Sequence, residues 1–140
     1  MRPIELKIKG INSYREEQVI NFNQLTSQGF FGIFGPTGSG KSTILDAITL
    51  ALYAKLPRGS KNFININETS ASVSFHFSIT TTETKEYLVE RSFRYPGKDR
   101  SSTARNTTAR LSLLSDIDTE VLADKPTDVT RSCIDLLGLS

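Results

Sequence analysis

The sequence has no tryptophan and a single cysteine, Cys133. A lone thiol cannot close an internal disulfide, so no disulfide framework is expected to hold this chain. With one histidine, His76, beside that one cysteine, there is no Cys/His cluster of the kind a zinc site needs. Nowhere does the chain run about 18 apolar residues without interruption, the length a membrane-spanning helix requires. The opening Met-Arg-Pro-Ile-Glu leads into alternating charge rather than an apolar core, so it does not read as a secretory signal. Neither sign of charge is in excess: 17 Lys and Arg against 15 Asp and Glu leave +2. That balance argues neither for nor against a polyanionic partner. The expectation is a soluble, cytoplasmic protein with no membrane partner. Its 140 residues make one domain or part of one, long enough to bury a core without staples.

What is present is concentrated in one stretch. Gly35, Pro36, Thr37, Gly38, Ser39, Gly40, Lys41, Ser42 and Thr43 spell a complete phosphate-binding loop, G-x-x-x-x-G-K-[ST]. The glycines allow a tight turn in which several backbone N–H groups point at one centre. Together with the start of the following helix they form a cradle for an anion. Lys41 is placed to reach the β- and γ-phosphates of a nucleotide as a point charge, and is the catalytic candidate. The Ser42 hydroxyl is the candidate Mg²⁺ ligand, and Thr43 falls near the α-phosphate. A chain of this length matches the pattern by accident roughly once in a few hundred cases, and the flanks sharpen it. Residues 30–34, Phe-Phe-Gly-Ile-Phe, are nearly all apolar, as a strand buried on both faces should be. Residues 42–54 carry Ile44, Leu45, Ile48 and Leu52 at helical spacing. Strand, loop and helix is the order the motif requires.

Around this stretch the pattern is mostly that of strands. Ile4, Leu6 and Ile8 alternate with Glu5, Lys7 and Lys9, and Ile20 and Phe22 alternate within residues 18–23. Residues 10–14 break the alternation, residues 23–29 read as loop, and residues 55–67, with Pro57 and Gly59, read as loop again. Val73, Phe75, Phe77 and Ile79 recur at period two, then Tyr87, Val89 and Phe93, then Leu111 and Leu113. Residues 80–84 are the expected hairpin turn, residues 96–108 a polar loop, and residues 116–119 another turn. A last helix is expected over residues 126–137. Pro126 suits its first turn, Val129, Cys133, Leu136 and Leu137 line one face, and Gly138 suits the C-cap. On that face Cys133 reads as a core residue rather than a reactive thiol.

Residues 40–53, Gly-Lys-Ser-Thr-Ile-Leu-Asp-Ala-Ile-Thr-Leu-Ala-Leu-Tyr, resemble the phosphate-loop helix of SMC-like and recombination-type ATPases. The opening strand, the break at Asn12-Ser13-Tyr14, the strand around Ile20 and Phe22, and Leu56-Pro57-Arg58-Gly59 complete the likeness. Together they are similar to the N-terminal head segment of the SbcC family, the ATPase subunits of bacterial exonucleases that act in double-strand-break repair. The resemblance implies an α/β fold: residues 1–140 as the N-terminal lobe of an ABC-type P-loop NTPase head, incomplete without its C-terminal lobe and coiled coil. A mixed or antiparallel sheet would surround the phosphate-loop helix. It implies ATP and Mg²⁺ as cofactors, and ATP hydrolysis coupled to double-strand DNA exonuclease and hairpin endonuclease action. The implied partners are an SbcD-like metallophosphoesterase nuclease subunit, double-stranded DNA ends, the protein's own C-terminal lobe and a second head in a homodimer. It also places Asn12 and Ser13 near the nucleotide, although many relatives carry Arg where this chain has Asn12, and it places residues 56–63 near the adenine. The alternatives are a RecF-, RecN- or SMC-type head, or a small P-loop kinase.

Other features read more plainly. A hydrophobic strand ending in acid, needed to hold Mg²⁺ in a self-sufficient ATPase, is not found after the loop. The nearest stretch, residues 111–116, is amphipathic, and Asp116 reads better as part of a turn. His76 sits mid-strand on a polar face and reads as exposed. Arg91, Arg94, Lys98, Arg100, Arg105 and Arg110 face one acid, Asp99, with Phe93 and Tyr95 interleaved. They could touch DNA phosphates without reading sequence, but a solvated hairpin face is the favoured reading. Lys7 and Lys9, with Glu5, read as a solvated strand face.

Overall fold

Period-two alternation builds an antiparallel sheet in the computed structural model, which describes residues 1–23, 39–56, 63–96 and 104–138. In β1 (Arg2–Lys9), Leu6 and Ile8 turn fully inward while Lys7 and Lys9 stay exposed. β3 (Ser70–Thr80) turns in Val73, Phe75 and Phe77, and β4 (Thr84–Arg94) turns in Tyr87, Val89 and Phe93. These two form a hairpin in register from Ser70↔Arg94 to Thr80↔Thr84, closed by the expected turn. With β2 (Gln18–Asn21), β5 (Arg105–Leu114) and β6 (Thr119–Ala123) they make a six-stranded sheet in the order β2-β1-β3-β4-β5-β6. Each neighbouring pair is antiparallel.

Two helices cover the apolar face. α1 (Ser39–Tyr53) lies on β3 and β4 and buries Ile44, Ala47, Leu50 and Ala51 there. Its two alanines leave room for the helix to approach the sheet closely, and each fully buried Leu or Ile contributes roughly 1.5–3 kcal/mol. The helix ends at Ala54, which takes φ 66° and donates its N–H to the Leu50 carbonyl at 2.9 Å, a left-handed C-terminal residue. α2 (Pro126–Leu137) packs on β5, β6 and α1 through fully buried Val129 and Cys133, and ends at Gly138 with φ 66°. Aromatic rings fill the space beneath: Phe75 stacks on Phe77 at 5.3 Å and Phe63 meets Phe93 edge-on at 5.1 Å.

The described sheet is wholly antiparallel, one of the two arrangements expected. The strand expected over residues 30–34, like the loops over residues 24–29 and 57–62, lies outside the described residues. Other expectations change. β6 follows the expected turn but was not anticipated. As an edge strand exposed over Thr119–Leu122, it shows no alternation to read. Arg91 does not lie on a solvated face: it is 2% exposed. His76 stands on the polar face as expected but is half-buried rather than exposed, and is paired with Glu86 at 2.8 Å.

Candidate functional site

The site begins at a turn that only permissive residues can make. Gly10 takes φ 73° and Asn12 φ 50°, so the chain reverses after β1 and Ile11 and Tyr14 exchange backbone hydrogen bonds at 3.1 and 2.9 Å. A Cβ at Gly10 would meet the Ser70 carbonyl oxygen at 2.6 Å, so glycine is required there for space as well as conformation. The segment after residue 62 then docks on this turn. Asn12 donates its N–H to the Phe63 carbonyl at 2.7 Å, and Asn65 donates its N–H to the Gly10 carbonyl at 2.8 Å. The Asn65 side chain adds a bond from Nδ2 to the Asn12 carbonyl at 2.7 Å, and its Oδ1 accepts the Asn67 N–H at 2.8 Å.

Held in this way, Asn12 reaches α1. Its Nδ2 donates to the Thr43 hydroxyl at 3.3 Å, across 31 residues of sequence. Thr43 is 5% exposed and sits in the opening part of α1, whose first turn carries no acidic residue. The Thr43 hydroxyl accepts from Asn12, and the N-terminal end of a helix favours negative charge. A helix start with no acid in its first turn, met by the Asn12 amide, fits the phosphates of a nucleotide. Among the sequence-predicted residues, Asn12 and Thr43 are brought together, and Ser13 stands exposed beside Asn12. Ser39, Gly40, Lys41 and Ser42 form the first turn of α1, with their side chains outside the description. Gly35, Pro36, Thr37 and Gly38 lie outside the described residues. No group of three or more His, Cys, Asp or Glu capable of holding a metal occurs among the described residues. The expected Mg²⁺ ligand, Ser42, lies in the first turn of α1.

The other end of α1 is fixed by Arg91. Its Nε donates to the Ala51 carbonyl at 2.6 Å and its Nη2 to the Leu52 carbonyl at 3.0 Å, the carbonyls that the end of a helix leaves unpaired. The same guanidinium donates to Asn106 Oδ1 at 2.8 Å, the Pro126 carbonyl at 3.2 Å and the Thr130 hydroxyl at 2.9 Å. One buried cation therefore ties α1, β5 and α2 together. Burial lowers the Arg91 pKa to about 10, with Cys133 opposing that shift, and the group remains cationic at neutral pH. Burial likewise pushes the Cys133 thiol up to about 11, against a smaller opposing effect of Arg91. Cys133 is thus the core residue its helix face indicated.

Removing Arg91 leaves a shorter basic surface. Arg94, Arg105 and Arg110 are exposed, whereas Lys98, Asp99 and Arg100 lie outside the described residues. Arg94 and Arg105 are cross-strand partners. Arg94 also lines a groove of about 490 Å³ on the open sheet face with Lys9, Arg15, Ser72 and Ser92. Arg15 in that groove is paired with Glu68 at 2.7 Å. Two residues that sequence reasoning missed stand out, Asn65 and Arg91. Asn65 had no local signal in a loop of alternating Asn and Ile. Arg91 did have one, because it follows Tyr87 and Val89 at period two.

Residues 5–132 match the family model described as AAA domain. The whole chain is 49% identical, over 140 residues, to a protein of Clostridium acetobutylicum named as the SbcC subunit of the nuclease SbcCD. It is 48% identical, over 143 aligned residues, to the Bacillus subtilis protein of the same name. A protein of Aquifex aeolicus named "Probable DNA double-strand break repair Rad50 ATPase" is 41% identical over 99 residues, covering 67% of this chain and 10% of that relative. The chain spans 12% of the length of each of the first two relatives.

Proposed function

Because the chain belongs to the AAA domain family and is SbcC-like over its whole length, we propose that it supplies the N-terminal, phosphate-gripping lobe of an ABC-type ATPase head. The reading extends to a DNA-repair nuclease of the SbcCD type, acting in the cytoplasm on double-stranded DNA ends. Residues 35–43 hold the phosphates of ATP, Lys41 neutralises charge at the β- and γ-phosphates, and Ser42 ligates Mg²⁺. When bound, Mg²⁺ supplies the positive charge that offsets the phosphate oxygens. Asn12 and Ser13 flank the nucleotide, and the Asn12 amide holds the Thr43 side chain in place. The residues that position water lie in the C-terminal lobe, and a second head closes the site. An SbcD-like metallophosphoesterase subunit performs the cutting. Arg94, Arg105 and Arg110 contact DNA through phosphates only.

The observation that carries this reading is the Asn12 amide on the Thr43 hydroxyl at 3.3 Å. It joins the turn after β1 to the helix that opens with the Gly-Lys-Ser-Thr sequence. The test is Lys41→Ala in the full-length protein with its nuclease partner. Mg-ATP affinity should fall at least tenfold, and ATP-dependent DNA degradation should stop. Wild-type affinity together with undiminished degradation would remove the assigned role of the loop.

A further inference from the structure

We propose that Asn65 is a positioning residue of the nucleotide site, acting through Asn12 from 53 residues away; the inference rests on the ATP-binding reading above. The backbone bonds between the two segments, Asn12 N–H to Phe63 and Asn65 N–H to Gly10, would form with any residue at position 65. What the Asn65 side chain alone adds is the 2.7 Å bond from its Nδ2 to the Asn12 carbonyl. That bond fixes the peptide that leaves Asn12. Asn12 sits at φ 50°, a left-handed conformation that L-residues other than glycine tend to leave. Relaxation to a negative φ would rotate the side chain away from Thr43. The bond to the Asn12 carbonyl opposes that rotation and keeps the Asn12 amide on the Thr43 hydroxyl.

Asn65 is suited to the task because it uses both ends of its amide. Oδ1 accepts the Asn67 N–H at 2.8 Å, which folds residues 65–67 into an Asx turn and orients Nδ2 toward Asn12. The side chain is nearly enclosed, at 9% exposed. It does not touch phosphate in this role, so its effect should appear in nucleotide affinity more than in turnover of bound nucleotide.

Asn65→Asp and Asn65→Ser both remove the donor to Asn12 and keep an acceptor for Asn67. The aspartate also adds a negative charge beside the site, so an effect counts only where the uncharged Asn65→Ser shares it. Mg-ATP is titrated into the full-length protein calorimetrically, with KM, kcat and melting temperature recorded for Asn65→Asp, Asn12→Gly, the double variant and Lys41→Ala. Glycine at position 12 removes the amide without straining the turn. Kd and KM should rise about tenfold in Asn65→Asp, with kcat changed less than threefold. They should rise similarly in Asn12→Gly, with no further loss in the double variant. Asn65→Ser, which retains the turn through its hydroxyl and adds no charge, should reproduce the effect, alone and combined with Asn12→Gly. An unchanged Kd in Asn65→Asp or Asn65→Ser, even with a lower melting temperature, overturns the proposal. So does an additive loss when Asn65→Ser is combined with Asn12→Gly, because Asn65 would then not act through Asn12. If Lys41→Ala binds Mg-ATP as wild type does, the ATP-binding reading itself fails and takes the proposal with it.

Discussion

Arg91 decides how the basic stretch is to be understood. Counted with its neighbours it is one of several cations within twenty residues. Counted by period it follows Tyr87 and Val89 onto the inner face of β4, and the period wins. Burying a guanidinium is tolerated because carbonyl and side-chain oxygens from three elements receive its protons. Arg91→Ala leaves the Ala51, Leu52 and Pro126 carbonyls without this donor and should destabilise the fold by roughly 3 kcal/mol or more. Arg91→Lys should recover only part, since a compact ammonium cannot span the same fork. Arg110→Ala on the open face should change stability by less than about 0.5 kcal/mol. Urea denaturation midpoints separate the three. Equal losses for Arg91→Ala and Arg110→Ala would contradict the clamp.

At the scale of elements, what was legible was what carries its own periodicity or punctuation. α2 runs over Pro126–Leu137, as Pro126, the apolar stripe and Gly138 indicated. The β3–β4 hairpin and its turn were equally plain. The contact between the turn after β1 and residues 63–65 was not, because backbone bonds between distant segments leave no pattern in composition. Only the family resemblance pointed to Asn12 and Ser13, and nothing pointed to Asn65. The glycine at the hinge of that turn carries the clearest prediction. Gly10→Ala combines φ 73° with a Cβ 2.6 Å from a backbone oxygen, and should cost about 2–3 kcal/mol. It should also weaken ATP binding, because the Gly10 carbonyl accepts from Asn65. Gly138→Ala has φ 66° but open space around it, and should cost only about 1 kcal/mol with ATP affinity unchanged. Chemical denaturation and an ATP titration on the two variants give the comparison.

Among the described residues, an antiparallel sheet carries two helices on one face and turns polar side chains to the other. α1 is gripped at both ends: near its start through Thr43 by the turn after β1, and at its finish by Arg91. A helix held in this way presents the Gly-Lys-Ser-Thr sequence from a rigid base, as a phosphate site needs. The sequence motif pointed to phosphate chemistry, and the fold adds which distant residues meet the helix that carries part of it. Under the proposed function this lobe grips nucleotide but depends on the rest of its head for hydrolysis. The most direct test is steady-state Mg-ATP hydrolysis by residues 1–140 alone, compared with the same chain co-expressed with the C-terminal segment of its reading frame. The account predicts turnover only in the pair, abolished by Lys41→Ala. Equal turnover by residues 1–140 alone, or a pair whose activity survives Lys41→Ala, would contradict it.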